Sequence, residues 1–132
     1  MCIRDRISEH ADALSDTLTP IIARGKDITK DQYEDALGVK ASADAFFAKH
    51  FLDFDAVLSP AATGEAPQLT DGTGDPIFCR IASLCGLPAL TMPLLVGEND
   101  LPIGVQLYGA VEEDDRLLRT ANWMQTLLAA EV

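Results

Sequence analysis

Leu90-Thr91-Met92-Pro93-Leu94-Leu95-Val96, then Gly97-Glu98-Asn99-Asp100, then Leu101-Pro102-Ile103-Gly104-Val105-Gln106-Leu107 is the stretch on which the fold turns. Leu90, Met92, Leu94 and Val96 alternate with Thr91, Pro93 and Leu95, and Ile103, Val105 and Leu107 alternate again beyond four turn-forming residues. That spacing predicts a β-hairpin, because successive strand side chains point to opposite faces. Pro93 has no N–H for a ladder, so the first strand should have an edge or a bulge there.

Before the hairpin, Asp75-Pro76 places a capping residue ahead of a proline at a first helical position, and Gly86-Leu87-Pro88 is a stop signal ten residues later. A short helix ending at Cys85 is expected, apolar on nearly every side and therefore buried on most of them. Further upstream, Asp55-Ala56-Val57-Leu58-Ser59 is an apolar run ending at Pro60, a buried strand by length and composition. Residues 61–73 between them are Gly, Pro, Ala and Thr without periodicity. A loop of that length in a compact domain is usually kept for function.

Towards the amino terminus, Thr29-Lys30-Asp31-Gln32 has the capping-box pattern, with Ile28 and Tyr33 at the staple positions. It should open a long helix from about Lys30 to His50. The 9–23 segment also keeps helical spacing through Leu14, Leu18, Ile21 and Ile22. Pro20 either kinks it or sits in the first turn of a second helix capped by Thr19, and Gly25 should end it. Past the hairpin, Glu112 to Asp115 puts negative charge at a helix start, where the dipole favours it. Leu117, Ala121, Met124 and Leu128 then form an apolar stripe. Three strands with one entered from a long loop are better explained as part of a larger sheet than as a complete one.

Composition narrows the classes. Of 132 residues, 48% are hydrophobic, enough for one core. Ten Lys and Arg against twenty-one Asp and Glu give a net charge of -11, which repels phosphate backbones and anionic membrane surfaces. No nucleic-acid or membrane partner is expected, and the chain reads as cytoplasmic. Cys2, Cys79 and Cys85 are odd in number and lack metal-site spacing, so they read as small apolar fillers in a reducing compartment. No metal or cofactor is expected. Met1 to Arg6 can be back-translated into a sequencing-adapter end, so residues 1–6 read as non-native and 7–132 as native chain.

Nucleophilic hydrolysis needs an activated hydroxyl or thiol, a base and oxyanion donors. Ser8, Ser15, Ser42, Ser59 and Ser83 lie in no G-x-S-x-G turn or Gly/Ser-rich loop. His10 and His50 sit in helical segments with no nucleophile at suggestive spacing, so no residue is assigned a catalytic role. Asp75 stands apart because it closes the long loop and precedes a helix. It is placed both to cap that helix and to face the amine or amide nitrogen of a substrate.

Four ordered blocks carry a resemblance. They are Asp53 to Pro60; Thr73-Gly74-Asp75-Pro76-Ile77-Phe78; Gly86-Leu87-Pro88-Ala89-Leu90-Thr91-Met92-Pro93; and Leu101-Pro102-Ile103-Gly104-Val105-Gln106-Leu107-Tyr108-Gly109. Together they resemble the carboxy-terminal part of amidase-signature enzymes. The resemblance implies an α/β fold, a mixed sheet with flanking helices, of which this chain is a partial sheet. It implies hydrolysis of carboxylic amides by a serine, a second serine and a lysine, all upstream of the region matched. By the same resemblance Asp75, Phe78 and Cys79 contribute to the substrate pocket, and a small-molecule amide is the substrate. Many relatives carry asparagine where Cys79 stands and a bulky aromatic near Ala82, so pocket polarity and shape differ here. Two alternatives are the A subunit of a glutamine-dependent aminoacyl-tRNA amidotransferase and a short non-catalytic binding module. The fragment alone is expected to be inactive.

Overall fold

The computed structural model describes residues 14–130, so the reading of residues 1–6 and the start of the first helical segment lie outside the described residues. The chain divides into two compact units, Met1–Val39 and Lys40–Val132.

In the first unit, helix α1 spans Leu18–Lys26. Pro20 sits in its first turn, where a missing N–H costs nothing. Thr17, not Thr19, is the N-cap, and Ser15 Oγ accepts from the Leu18 N–H at 3.2 Å. Gly25 does not end the helix. It keeps a negative φ and lies inside the last turn, and Asp27 follows as the C-cap. Helix α2 spans Lys30–His50. Its start is the expected capping box: the Gln32 N–H donates to Thr29 Oγ1 at 3.2 Å, and Gln32 Oε1 accepts from the Thr29 N–H at 2.9 Å.

The second unit takes over within α2 and continues through β1 (Val57–Pro60), a 3-10 turn at Leu69–Asp71, helix α3 (Ile77–Cys85), β2 (Ala89–Val96), β3 (Pro102–Tyr108) and helix α4 (Asp114–Ala129). The strands form an antiparallel sheet in the order β1-β3-β2. The hairpin is as the alternation requires, and its register shifts between Met92 and Leu95, where Pro93 withholds a donor.

Period two assigns the faces. Leu107 with Met92 and Leu90 turns to α4, where Leu117 and Ala121 are buried against them. Gln106 and Tyr108 turn the other way. On that side Tyr108 packs with Phe51 of the segment after α2 and with Ala82 and Cys85 of α3. Arg116 in the first turn of α4 donates to Asp55 Oδ1 at 2.8 Å and Glu113 Oε2 at 3.0 Å, fixing that helix start to the segment before β1.

Two expectations for α3 need correction. Pro76 is the N-cap with no side-chain cap bond, so the helix begins one residue late and Asp75 falls outside capping reach. Its carboxylate instead meets Arg80 Nη2 at 3.4 Å. Nor is α3 buried on most sides. Ala82 and Cys85 are buried, but Ile77 and Leu84 are half exposed, because among the described residues only one flank of the helix meets the sheet and α2. Its end is as read: Gly86 is left-handed at φ 66° and the Leu87 N–H reaches the Ala82 carbonyl at 3.0 Å.

Candidate functional site

Three elements converge where α3 begins. Ser59 on β1 is the register partner of Gln106 on β3, so both side chains stand on one face, with Tyr108 two residues on. Gln106 is 4% exposed and is the buried polar residue of the described core. Its Nε2 lies 2.7 Å from Tyr108 Oη, 3.2 Å from the Phe78 carbonyl, 3.3 Å from Ser59 Oγ and 3.5 Å from the Pro60 carbonyl. An amide nitrogen has two hydrogens, so these four acceptors share them. The Tyr108 hydroxyl also donates to the Phe78 carbonyl. The Cys79 thiol reaches the Ala61 carbonyl at 3.5 Å and Gln106 Oε1 at 4.0 Å. The network ties the first turn of α3 to both strands.

A cleft of about 640 Å³ opens beside this network, lined by Cys79, Ser83, Pro88, Gln106, Glu112 and Asp114 among others. Of the three residues read as pocket residues, Cys79 therefore faces a cleft. Phe78 serves through its backbone carbonyl, and its ring is partly buried. Asp75 is exposed beside Arg80 and lines no described cleft with Cys79. Ser59 has Gln106, Tyr108 and the Pro60 carbonyl as partners, none of which is a base near neutrality.

The two described cysteines differ. Cys79 is exposed, against the reading of it as a core filler, while Cys85 is buried. Burial first, then the Asp44 carboxylate, pushes the Cys85 thiol upward, so it stays protonated near neutral pH. Asp44 accepts from Lys40 Nζ at 2.7 Å, a bond that lowers the carboxyl and raises the amine. Lys40 is thus held as a cation. His50 stacks on Phe46 and Phe54.

The long loop is held at two points. The Ala61 N–H donates to the Gly104 carbonyl at 2.9 Å. Four residues on, the Glu65 carboxylate accepts from the Asn99 N–H at 2.8 Å, from Asn99 Nδ2 at 2.6 Å and from the Leu101 N–H at 3.3 Å, all at the hairpin tip. The Asn99 side chain first, and these backbone bonds with it, hold the Glu65 carboxyl below its usual range.

In the sequence, Gln106 and Tyr108 stand only as members of a family block, and Glu65 carries no motif. The available signal was one polar and one amphipathic residue at i, i+2 on an otherwise apolar strand, which marks a buried polar pairing.

Helices on both faces of a sheet, with a cleft where a helix start meets strand ends, define an α/β protein. The sequence pattern of the amidase family matches residues 6–118, and the chain belongs to that family. It is 35% identical over 96 residues to the A subunit of the glutamyl-tRNA(Gln) amidotransferase of Agathobacter rectalis, covering 67% of this chain and 19% of that protein. Against the mitochondrial A subunit from Mus musculus the identity is 30% over 112 residues, 74% of this chain and 21% of that protein. A crystal structure of an amidase superposes with a TM-score of 0.78 at 26% identity, over 93% of this chain and 31% of that one. The chain spans about a fifth of the length of the curated relatives it matches.

Proposed function

We propose that the chain is the carboxy-terminal portion of an amidase-signature hydrolase that cleaves carboxylic amide C–N bonds. In this reading the serine nucleophile, second serine and lysine base come from an upstream part of the polypeptide. This chain provides scaffold and one wall of the substrate pocket at Asp75, Phe78 and Cys79. The observation that carries the proposal is the family match across residues 6–118, joined to a network that fixes Phe78 and Cys79 at the edge of a cleft.

The surface supports the fragment reading. Leu69 is 96% exposed at the tip of the long loop, Leu58 stands out from the outer strand β1, and Ile77 and Leu84 line an apolar groove on α3. Faces of this kind call for a covering layer. The 132-residue chain expressed alone should self-associate at micromolar concentration, seen by sedimentation velocity, and release no ammonia from a panel of carboxamides. The polypeptide obtained by extending the reading frame upstream of Ile7 should release it. An in-frame stop there, or a short chain that stays monomeric at micromolar concentration, sinks the proposal.

A second reading has its own support. Relatives at 35% and 30% identity bear the name of an amidotransferase subunit, so in this reading the parent takes ammonia from glutamine for a tRNA-bound acceptor. Glutamine hydrolysis that rises when partner subunits and charged tRNA are added distinguishes it from a stand-alone amidase.

A further inference from the structure

Glu65 occupies a position that neither the family match nor the pocket reading explains. It lies in the long loop, yet its carboxylate takes three hydrogen bonds from the tip of a hairpin more than thirty residues away in sequence. Two of the donors are backbone N–H groups of the β2–β3 turn, so the contact grips the main chain as well as a side chain. Gly97 lies directly against the carboxylate: a Cβ there would collide with Glu65 Oε1, Cδ and Cγ. Its missing side chain leaves the room the carboxylate fills. A charged acceptor with several N–H donors is among the stronger polar contacts open to an exposed segment.

Chain order determines which part of the site the grip positions. Four residues before Glu65, the Ala61 carbonyl is the acceptor nearest the Cys79 thiol, while the Ala61 N–H is fixed on Gly104. A Cβ on Gly104 would come within 2.9 Å of Ala61 Cβ, so strand and loop are in close contact there. Beyond Glu65 the loop carries the exposed Leu69 turn and returns to α3 at Asp75. We propose that Glu65 is a positioning residue: its clasp on the hairpin tip holds the 61–73 loop in the course that sets the Ala61 carbonyl against Cys79 and fixes that edge of the cleft. The assignment to a substrate-binding edge rests on the amide-hydrolase reading. The clasp itself does not.

The test uses the polypeptide encoded by the complete gene, whatever its length, with variants Glu65→Ala, Glu65→Gln and Gly97→Ala. Gly97→Ala displaces the carboxylate without removing it. Peptide-resolved hydrogen exchange should rise about tenfold across 61–73 and 97–101 in Glu65→Ala and Gly97→Ala, with α4 unchanged, as expected for losing charge-assisted bonds of a loop. The alkylation rate of Cys79, read on its own peptide, should rise about fivefold alongside. Glu65→Gln should recover most of both, because Asn99 can turn its amide to face the new one. Combining Glu65→Ala with Gly97→Ala should be no worse than Glu65→Ala alone, since both act through one contact. In an active enzyme KM should rise about fivefold with kcat within about twofold, the pattern of lost ground-state positioning.

Unchanged exchange in Glu65→Ala overturns the clasp. Raised exchange with Cys79 alkylation unmoved overturns the positioning role, and so does raised exchange with unaltered KM. A wild-type protein that hydrolyses no amide overturns the hydrolase reading instead, while exchange and alkylation still decide the role of Glu65.

Discussion

Leu117→Ala is expected to lower the unfolding free energy of the Lys40–Val132 unit by about 3 kcal/mol, within the range for truncating a buried leucine that leaves a cavity. Leu117 is 3% exposed and packs with Met92, Leu107 and Ala121, the cluster that joins α4 to the sheet. Its surroundings have little freedom to collapse. A Cβ on Gly109 would stand 3.0 Å from Leu117 Cβ and 3.3 Å from Pro88 Cγ, so the backbone already lies against this side chain. The neighbouring Leu118, about 100° round the helix, is more than half exposed at the rim of the cleft between α4 and β2, and Leu118→Ala should cost less, about 1 kcal/mol or below. Trp123 on α4 is 64% exposed and changes surroundings little on undocking, so far-UV circular dichroism at sub-micromolar concentration, where self-association is suppressed, is the probe. Urea unfolding of the two variants side by side is the measurement. A loss below about 1 kcal/mol for Leu117→Ala, or equal losses for both, would mean that α4 is not held to the sheet through this cluster.

That cluster could be read in advance because each contributor follows a local rule. Leu90, Met92 and Leu107 alternate on strands, and Leu117, Ala121 and Met124 repeat at helical spacing, so both apolar faces were visible before their contact was. The same holds for the Thr29–Gln32 box and for the bulge after Met92, where one residue type removes a donor. The errors at Asp75 and Gly25 come from competition that local rules omit. Pro76 takes the cap and Arg80 takes the Asp75 carboxylate, while Gly25 tolerates the ordinary helical backbone when no left-handed turn is demanded of it.

The polar part of the site was not legible for a different reason. Ser59, Phe78 and Gln106 meet across 28 to 47 residues of chain. Glu65 and Leu101 meet across 36. No spacing rule links such positions, because they are brought together by strand register and by the path of a loop. Asp75 drew attention through its place in the chain, whereas the buried amide of Gln106 holds the first turn of α3 through contacts made only in the fold.

Gln106 therefore carries the second large effect. Gln106→Leu should cost about 2 kcal/mol, since an apolar side chain of similar size leaves the Phe78 carbonyl and Ser59 hydroxyl with fewer partners in a shielded place. Gln106→Glu keeps the shape and introduces a charge beside the Phe78 and Pro60 carbonyls, whose oxygens repel it. Burial raises the pKa of such a carboxyl in the folded state above the roughly 4.3 it has when unfolded. The unfolded chain then binds fewer protons than the folded one between those two values, so the cost grows as pH rises through that window and levels off above the folded pKa. At pH 8 the glutamate variant should be the less stable of the two, losing about 3 kcal/mol or more, as for a buried charge without a cation. Near pH 5 it is protonated in the fold, can donate to the Phe78 carbonyl, and should be the more stable of the two. Urea unfolding at both pH values, each compared with wild type at the same pH, reads the crossing directly. Parallel losses at pH 5 and 8 would show that Gln106 sits in a wetter environment than its 4% exposure describes, and the network would then be a surface feature rather than the element that fixes Phe78 and Cys79 at the cleft.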